Sequence, residues 1–162
     1  MMLLAVCATT ALFAQEKNPK TMIQERIAYM KANVAMSGAE TQHFWPVYEE
    51  FLKAEMKTME AYRKNLEKQG IKLGAPGTNK ELIEKLNDKQ LTYLQDQKFE
   101  LRKSLLNLET SYHKKFKSIL TPQHLQNLYN QEYLYKKNLT AKKKEAKKTE
   151  PTGPVNAGKK KR

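Results

Sequence analysis

The sequence has few of the residues that build disulfide scaffolds and turn-rich folds. It holds one cysteine, six glycines and six prolines among 162 residues. A single cysteine and the lack of a glycine period exclude a disulfide scaffold and a collagen-like chain. An all-β protein would need many more turns rich in glycine and proline. The length is that of about one domain, and the net charge of +13 makes the chain strongly basic.

The N-terminal residues 1–14 carry no charge, and Thr9 and Thr10 are their polar side chains. This run is shorter than the roughly 20 apolar residues that cross a bilayer. It fits the apolar region of a secretory signal peptide that is cleaved after Ala14. No lysine or arginine precedes the run, so we expect the signal to begin upstream of Met1. The alternative is a frayed or buried N-terminal helix.

The C-terminal part of the chain is its most basic region. Residues 136–162 hold eleven lysine or arginine residues against two glutamates, a net charge of +9. The prolines, the glycines and the near absence of apolar side chains predict a disordered basic tail over residues 140–162. The alternative is a solvated tail that only aids solubility. The residues predicted to contact a polyanion, such as nucleic acid, lipopolysaccharide or anionic lipid, are Lys142, Lys143, Lys144, Lys147, Lys148, Lys159, Lys160, Lys161 and Arg162.

In the middle of the chain the apolar residues recur at helical spacing, and no run alternates with period two for long enough to indicate a strand. A first helix is predicted over Thr21–Val34. The sequence Ser37-Gly38-Ala39-Glu40 is a capping box that opens a second helix, which ends near Gly70. Pro46 lies beyond the first turn of that helix, so we expect a kink there.

Two further helices are predicted after a loop over residues 69–79. The capping box Thr78-Asn79-Lys80-Glu81 opens a helix of about forty residues that reaches Ile119, roughly 60 Å at 1.5 Å per residue. The last helix has Thr121 as its N-cap and Pro122 at its first position. A helix of that length does not fit within a compact globule of this size. The four predicted helices therefore form a thin all-α structure that is extended, curved or dimeric.

No pattern of catalytic or ligand-binding residues emerges. The three histidines do not pair at helical spacing, and neither a nucleophile elbow nor a glycine-rich phosphate loop is present. Carboxylates alternate with lysines at helical spacings, which is typical of solvated helix faces. His43 with Glu40, or His113 with Glu109, is a conceivable start of a metal site, but surface histidines are the simpler interpretation. We predict no enzyme, no cofactor and no metal site.

Aromatic residues are spread over every predicted helix. The chain has eight tyrosines, five phenylalanines and one tryptophan. A thin structure cannot bury all of this surface within one chain. We therefore expect a second copy to cover it, or part of it to stay exposed as an adaptable patch for varied partners.

Two segments resemble the motifs of the Spy/CpxP-like periplasmic proteins, whose second motif reads Leu-Thr-x-x-Gln. The first segment runs from Met36 to Phe51 and includes a Phe-Trp-Pro-x-Tyr string, and the second runs from Leu120 to His124. Met36 and Ser37 replace a leucine and a threonine. Glu40 and His124 stand where glutamine is common. The motif residues are Met36, Ser37, Glu40, Phe44, Trp45, Pro46, Tyr48, Leu120, Thr121, Pro122 and His124.

The resemblance implies a bent, all-helical cradle or hairpin that forms an antiparallel homodimer in the periplasm. It implies an ATP-independent chaperone that holds unfolded client proteins, or an adaptor that tunes an envelope-stress sensor. Some relatives bind metals through histidine-rich sites. Those histidine patterns are absent from this sequence, so the resemblance implies no metal site here. The alternative function is a basic protein that binds nucleic acid or another polyanion through its lysine-rich tail.

Overall fold

The computed structural model describes residues 18–74 and 79–148. All regular secondary structure in these two ranges is helical, which confirms the predicted all-α class. The predicted signal peptide, residues 1–14, and the last part of the predicted tail, residues 149–162, lie outside the described residues. The helices are α1 (Pro19–Asn33), α2 (Gly38–Glu67), α3 (Lys80–Glu84), α4 (Asp88–Ile119) and α5 (Pro122–Lys148).

The capping residues place the starts of α2 and α5 where the sequence predicted them. The Ser37 amide donates to Glu40 Oε2 at 2.8 Å, and the Glu40 amide donates to Ser37 Oγ at 3.3 Å, so the first capping box is present. At the start of α5 the His124 amide donates to Thr121 Oγ1 at 3.3 Å. Pro122 occupies the first helical position, where its missing N–H costs no hydrogen bond.

The prediction of one helix of about forty residues was wrong. The chain instead forms the short α3 and then a separate α4 of 32 residues, which makes five helices in the described part of the chain. The physical reason is a second start signal. Asn87 accepts from the Gln90 amide at 3.0 Å, and the Gln90 side chain accepts from the Asn87 amide at 3.3 Å. This capping box ends the preceding turn because Asn87 adopts an extended backbone.

The predicted start of the disordered tail was also wrong. The helix α5 continues through Thr140 to Lys148. Five of the lysines assigned to the tail therefore lie within a helix: Lys142, Lys143, Lys144, Lys147 and Lys148. Lysine is a good helix former, and no glycine or proline interrupts α5 after its first position.

The helices α2 and α4 form an antiparallel hairpin. Phe51 contacts Tyr112 near one end, with ring centroids 5.4 Å apart, and Leu66 packs with Leu94 near the other. At the far end Gly70 has a φ of +73° and lets the Ile71 amide donate back to the Leu66 carbonyl at 3.0 Å. This turn lets the chain reverse after α2.

The helices α1 and α5 cover one half of that hairpin. The helix α1 folds back on α2 and also contacts α5. The main core forms where these helices meet, and its buried members are Met30, Val34, Phe44, Tyr48, Phe51, Leu52, Phe116, Leu120, Leu125 and Leu128. The other half of the hairpin has a small cluster of its own, made of Leu66, Ile71 and Leu94. No helix among the described residues has the length and apolar character needed to cross a membrane.

Candidate functional site

An open groove of about 480 Å³ separates α4 from α5. Leu106 and His113 form the α4 wall, and Tyr129 and Tyr133 form the α5 wall. The exposed fractions of Leu106 and Tyr133 are 62% and 65%. Large apolar side chains that line a concave surface and remain open to solvent are typical of interaction sites.

The groove lies between two helices that are joined at one end. The helix α4 ends at Ile119 and α5 begins at Pro122, so the two walls share a corner. Near this corner His113 Nδ1 and Tyr129 Oη are 2.7 Å apart and the two rings stack, which connects the walls. Farther from the corner, Tyr133 is more exposed than Tyr129. The groove is therefore closed at the corner and open along its length.

Aromatic and aliphatic side chains from the main core form the floor of the groove. Phe51 and Phe116 meet edge to face with ring centroids 5.8 Å apart, and both are buried. Tyr48 and Leu128 complete this floor, each 1% exposed. The packing of these rings makes the floor a fixed surface, because close-packed interiors resist deformation.

A buried ionic network lies beside this floor and ties three helices together. Arg26 of α1 binds Glu132 of α5 in a two-pronged geometry, with Nε to Oε1 at 3.1 Å and Nη2 to Oε2 at 2.5 Å. Its remaining terminal nitrogen, Nη1, donates to Glu55 Oε2 of α2 at 2.6 Å. The hydroxyl of Tyr48 donates to the same Glu132 carboxylate.

The Arg26 guanidinium keeps its charge despite burial. The Arg26 and Glu132 side chains are 13% and 11% exposed. Burial is the largest single effect and opposes the charge of Arg26, but Glu132, Tyr48 and Glu55 together outweigh it, so the pKa of Arg26 is raised. Burial, followed by the negative charge of Glu132, raises the pKa of the Tyr48 hydroxyl, which therefore stays a proton donor.

The two motif segments meet at one carboxylate, that of Glu40. Besides the Ser37 amide of its own helix, Glu40 accepts from the Thr121 amide at 2.9 Å, and His124 Nδ1 lies 2.8 Å from its Oε2. The hydrogen bond from His124, then those from Thr121 and Ser37, lower the pKa of Glu40 from 4.5 to about 2. Glu40 thus caps α2 and, across 81 residues of sequence, satisfies the amide of the residue that caps α5.

The other motif residues mostly build the core. Phe44, Tyr48 and Leu120 are buried, and Met36 packs against the same cluster. Trp45 is half-buried, meets the Phe44 ring edge to face, and lies under Lys31 Nζ at 5.4 Å from its ring centroid. Pro46 and Pro122 are exposed. Apart from Tyr48, the motif residues do not line the groove.

Glu40 and His113, which the sequence offered as possible starts of a metal site, have other partners in the structure. Glu40 faces His124 rather than His43, and His113 pairs with Tyr129. Within the described ranges no group of three or more His, Cys, Asp or Glu residues converges as metal ligands do.

The tail residues Lys159, Lys160, Lys161 and Arg162 lie beyond Lys148, where the described part of the chain ends.

Sequence reasoning missed the groove residues and the buried ion pair. A signal for the pair was present, because Arg26 stands among Ile23, Ile27 and Met30 on the apolar face of α1. Glu132 similarly lies between Leu128 and Tyr135 on the buried face of α5. A charge of each sign at a core position of two helices indicates a buried pair.

Comparison with known proteins assigns neither a family nor a function to this chain. The chain matches no family model, no curated protein and no solved structure. The resemblance to the Spy/CpxP-like proteins therefore stays a prediction from the two motif segments.

Proposed function

We propose that the chain is a binding protein that holds apolar segments of other polypeptides in the groove between α4 and α5. In the terms of the resemblance it is a periplasmic ATP-independent chaperone, or an adaptor of an envelope-stress sensor. The observation that carries this proposal is the exposure of Leu106 and Tyr133 on facing walls above an aromatic floor. Covering such a surface with apolar side chains of a partner is favourable.

The composition of the groove suits partners of varied sequence. Leucine side chains make apolar contacts that require no particular orientation of the partner. Tyrosine rings combine apolar area with a hydroxyl, and fixing them costs little conformational entropy. Glu109 and Lys136 contribute one charge of each sign to the lining, and both are exposed. The groove therefore selects a partner by its apolar side chains rather than by a net positive or negative charge.

The junction at Glu40 supports this use of the groove. It fixes the start of α5 relative to α2, and the buried pair of Arg26 and Glu132 fixes α5 farther along. The wall that carries Tyr129 and Tyr133 is thus held in position before a partner arrives. A preformed wall reduces the ordering cost of binding.

The direct test is the suppression of aggregation of a chemically denatured client at low salt by the mature protein. We expect suppression at stoichiometric excess, and we expect the Leu106→Gln/Tyr133→Ser variant to lose most of it. Ile83→Gln is the matched control, because Ile83 is an exposed aliphatic residue on α3, outside the groove lining. Circular dichroism of all three proteins verifies that they are equally folded.

One result of this assay distinguishes a chaperone from an adaptor, and another tests whether the groove is the binding site. If the wild-type protein gives no suppression, the chaperone form is wrong and the adaptor form is left. If the groove variant and the Ile83→Gln control suppress aggregation equally, the groove is not the binding site. Fractionation of the producing cells tests the periplasmic location independently of either result.

A further inference from the structure

The backbone of both groove walls is hydrogen-bonded within the walls themselves. The α4 wall spans Leu106 to Phe116, and the α5 wall spans Leu128 to Lys136. Both stretches lie inside their helices, away from the unpaired groups of the helix ends. The groove therefore offers a partner no row of free N–H and C=O groups, such as the edge of a β-sheet provides.

Most polar side chains of the lining also have partners already. The ionic network of Arg26 lies beside the floor, and His113 and Tyr129 bridge the corner. On the α4 wall the Thr110 hydroxyl donates to the Leu106 carbonyl at 2.8 Å. A polypeptide that covers the floor must therefore satisfy most of its own backbone groups, because an unpaired buried amide is costly.

The length of the groove suits a short helix. Phe116 follows Leu106 by ten residues on α4, a distance of about 15 Å at 1.5 Å per residue. An extended segment of that length has about four or five residues, and only alternate side chains would face the floor. A helix of the same length has about three turns and can place one apolar stripe along the floor.

Positive charge flanks the open end of the groove. The lining itself balances Glu109 against Lys136. Arg102 lies one turn before the lining begins on α4, and Lys137 directly follows its last residue on α5. Both side chains are exposed. Two cations at this end attract acidic side chains of a partner whose apolar stripe lies in the groove.

We propose that the occupant of the groove is an amphipathic helix of about three turns with acidic residues at one end. This inference rests on the proposed function, because it specifies which polypeptide segments the groove holds. Such a helix pairs its own backbone groups and lays its apolar stripe against Leu106, Tyr133 and the aromatic floor. Its carboxylates then lie near Arg102 and Lys137.

Four synthetic peptides of one length test the conformation and charge of the partner. The amphipathic peptide has leucines at i, i+3 and i+7, glutamates in its first turn and alanines elsewhere. The proline peptide replaces two central alanines of its polar face by proline, which breaks the helix. The scrambled peptide spreads the same leucines around the helix. The lysine peptide carries lysines in place of the glutamates.

Fluorescence anisotropy with the mature protein at low salt compares their affinities. We expect the amphipathic peptide to bind at least about tenfold tighter than the proline and scrambled peptides. Leu106→Gln/Tyr133→Ser should abolish this binding, whereas the control Ile83→Gln should retain it. Carbon chemical shifts of the isotope-labelled amphipathic peptide should move toward helical values when the protein is added.

Charge-matched variants locate the acidic end of the bound helix. The wild type should prefer the amphipathic peptide to the lysine peptide, and this preference should weaken as salt rises. Arg102→Gln/Lys137→Gln should reduce the preference more than Lys57→Gln/Lys68→Gln does, because these two exposed lysines lie outside the groove lining. Equal reduction by both variants would make net charge the whole cause and would overturn the acidic end.

Other results would overturn the helical partner. Equal affinity of the amphipathic and proline peptides, or extended chemical shifts of the bound peptide, would show that the groove holds extended segments. Suppression of client aggregation that still depends on the groove would then leave the proposed function intact. Failure of all four peptides, together with no suppression, would reject both. A groove variant that converts a wild-type dimer into a monomer, with no peptide bound, would make a second copy the occupant.

Discussion

The carboxylate of Glu40 in the first turn of α2 and the imidazole of His124 in the first turn of α5 lie 2.8 Å apart, although 84 residues separate them. An ionised carboxylate can only accept hydrogen bonds. Nδ1 of His124 is therefore the donor in this contact. The contact joins the two motif segments and places the starts of both helices at one corner of the main core.

The pH dependence of stability tests the role of Glu40. Its pKa is lowered to about 2 in the folded protein from the 4.5 of a free side chain. A depressed pKa stabilises the fold fully above the unfolded value, and this contribution disappears as pH falls toward the folded value. We expect Glu40→Gln to lower stability near pH 6, and its difference from wild type to shrink between about pH 5 and pH 2.

Urea unfolding at several pH values measures that difference. Glu100→Gln is the control, because Glu100 is an exposed carboxylate in the middle of α4. A difference between wild type and Glu40→Gln that stays constant down to pH 2 would contradict the ionised junction.

The identity of the residue at position 124 offers a second test of the same corner. His124→Gln keeps an N–H donor that can reach the Glu40 carboxylate, whereas His124→Ala removes it. We therefore expect the alanine variant to melt at a lower temperature than the glutamine variant. Equal melting temperatures would mean that the contact between residues 40 and 124 contributes nothing to stability.

The buried pair of Arg26 and Glu132 should show strong non-additivity. Arg26→Met leaves the Glu132 charge buried without its partner, and such losses cost about 3–5 kcal/mol. The triple variant Arg26→Met/Glu132→Met/Tyr48→Phe removes both ions of the pair and the hydroxyl that donates to Glu132, and it leaves only Glu55, which is 20% exposed, without its arginine. We expect this triple variant to be more stable than Arg26→Met alone, as measured by urea unfolding. A loss below about 1 kcal/mol in Arg26→Met would indicate that the pair is not buried in solution.

Helical spacing and capping chemistry were enough to predict the class of fold and most helix starts. Ser37 with Glu40, and Thr121 with Pro122, are local signals, and local signals are readable from one sequence. The break before α4 was missed because Asn87 and Gln90 form a capping box without serine or threonine and lie within an apolar pattern that continues on both sides. The end of α5 was misplaced because a lysine-rich sequence has both helical propensity and the charge typical of disorder.

The groove was not predictable in the same way. It depends on where α4 and α5 stand relative to each other, and that placement follows from contacts between distant residues such as Arg26 and Glu132. Periodicity identifies the faces of a helix, but it does not tell which face meets a partner helix. The exposed Leu106 and Tyr133 were therefore indistinguishable in the sequence from core residues.

The aromatic motif residues Phe44 and Trp45 should contribute unequally to stability. Phe44 is fully buried and contacts Phe116, with ring centroids 5.2 Å apart, whereas Trp45 is half-buried. We expect Phe44→Ala to cost about 3–5 kcal/mol, and Trp45→Ala about 1–3 kcal/mol because part of its ring stays in water. Denaturant unfolding followed by circular dichroism measures both values.

The Trp45→Ala variant also distinguishes a structural role of Trp45 from a role in client binding. Trp45 does not line the groove, so Trp45→Ala should still suppress client aggregation at a temperature where it is folded. Loss of suppression with unchanged stability would place Trp45 in the binding surface instead.

The last prediction is the oligomeric state. Phe99 and Leu106 lie two turns apart on α4, and their exposed fractions are 67% and 62%. A spacing of seven residues keeps both side chains on one face, where an antiparallel copy of α4 can cover Phe99 and competes with a client for Leu106 of the groove. We expect sedimentation equilibrium at tens of micromolar to give twice the mass of one chain. Phe99→Glu should shift the protein toward monomer, because a dimer would bury two like charges, whereas Ile83→Glu on α3 should not. A wild-type protein that remains monomeric at these concentrations would show that the exposed α4 face is left for other partners.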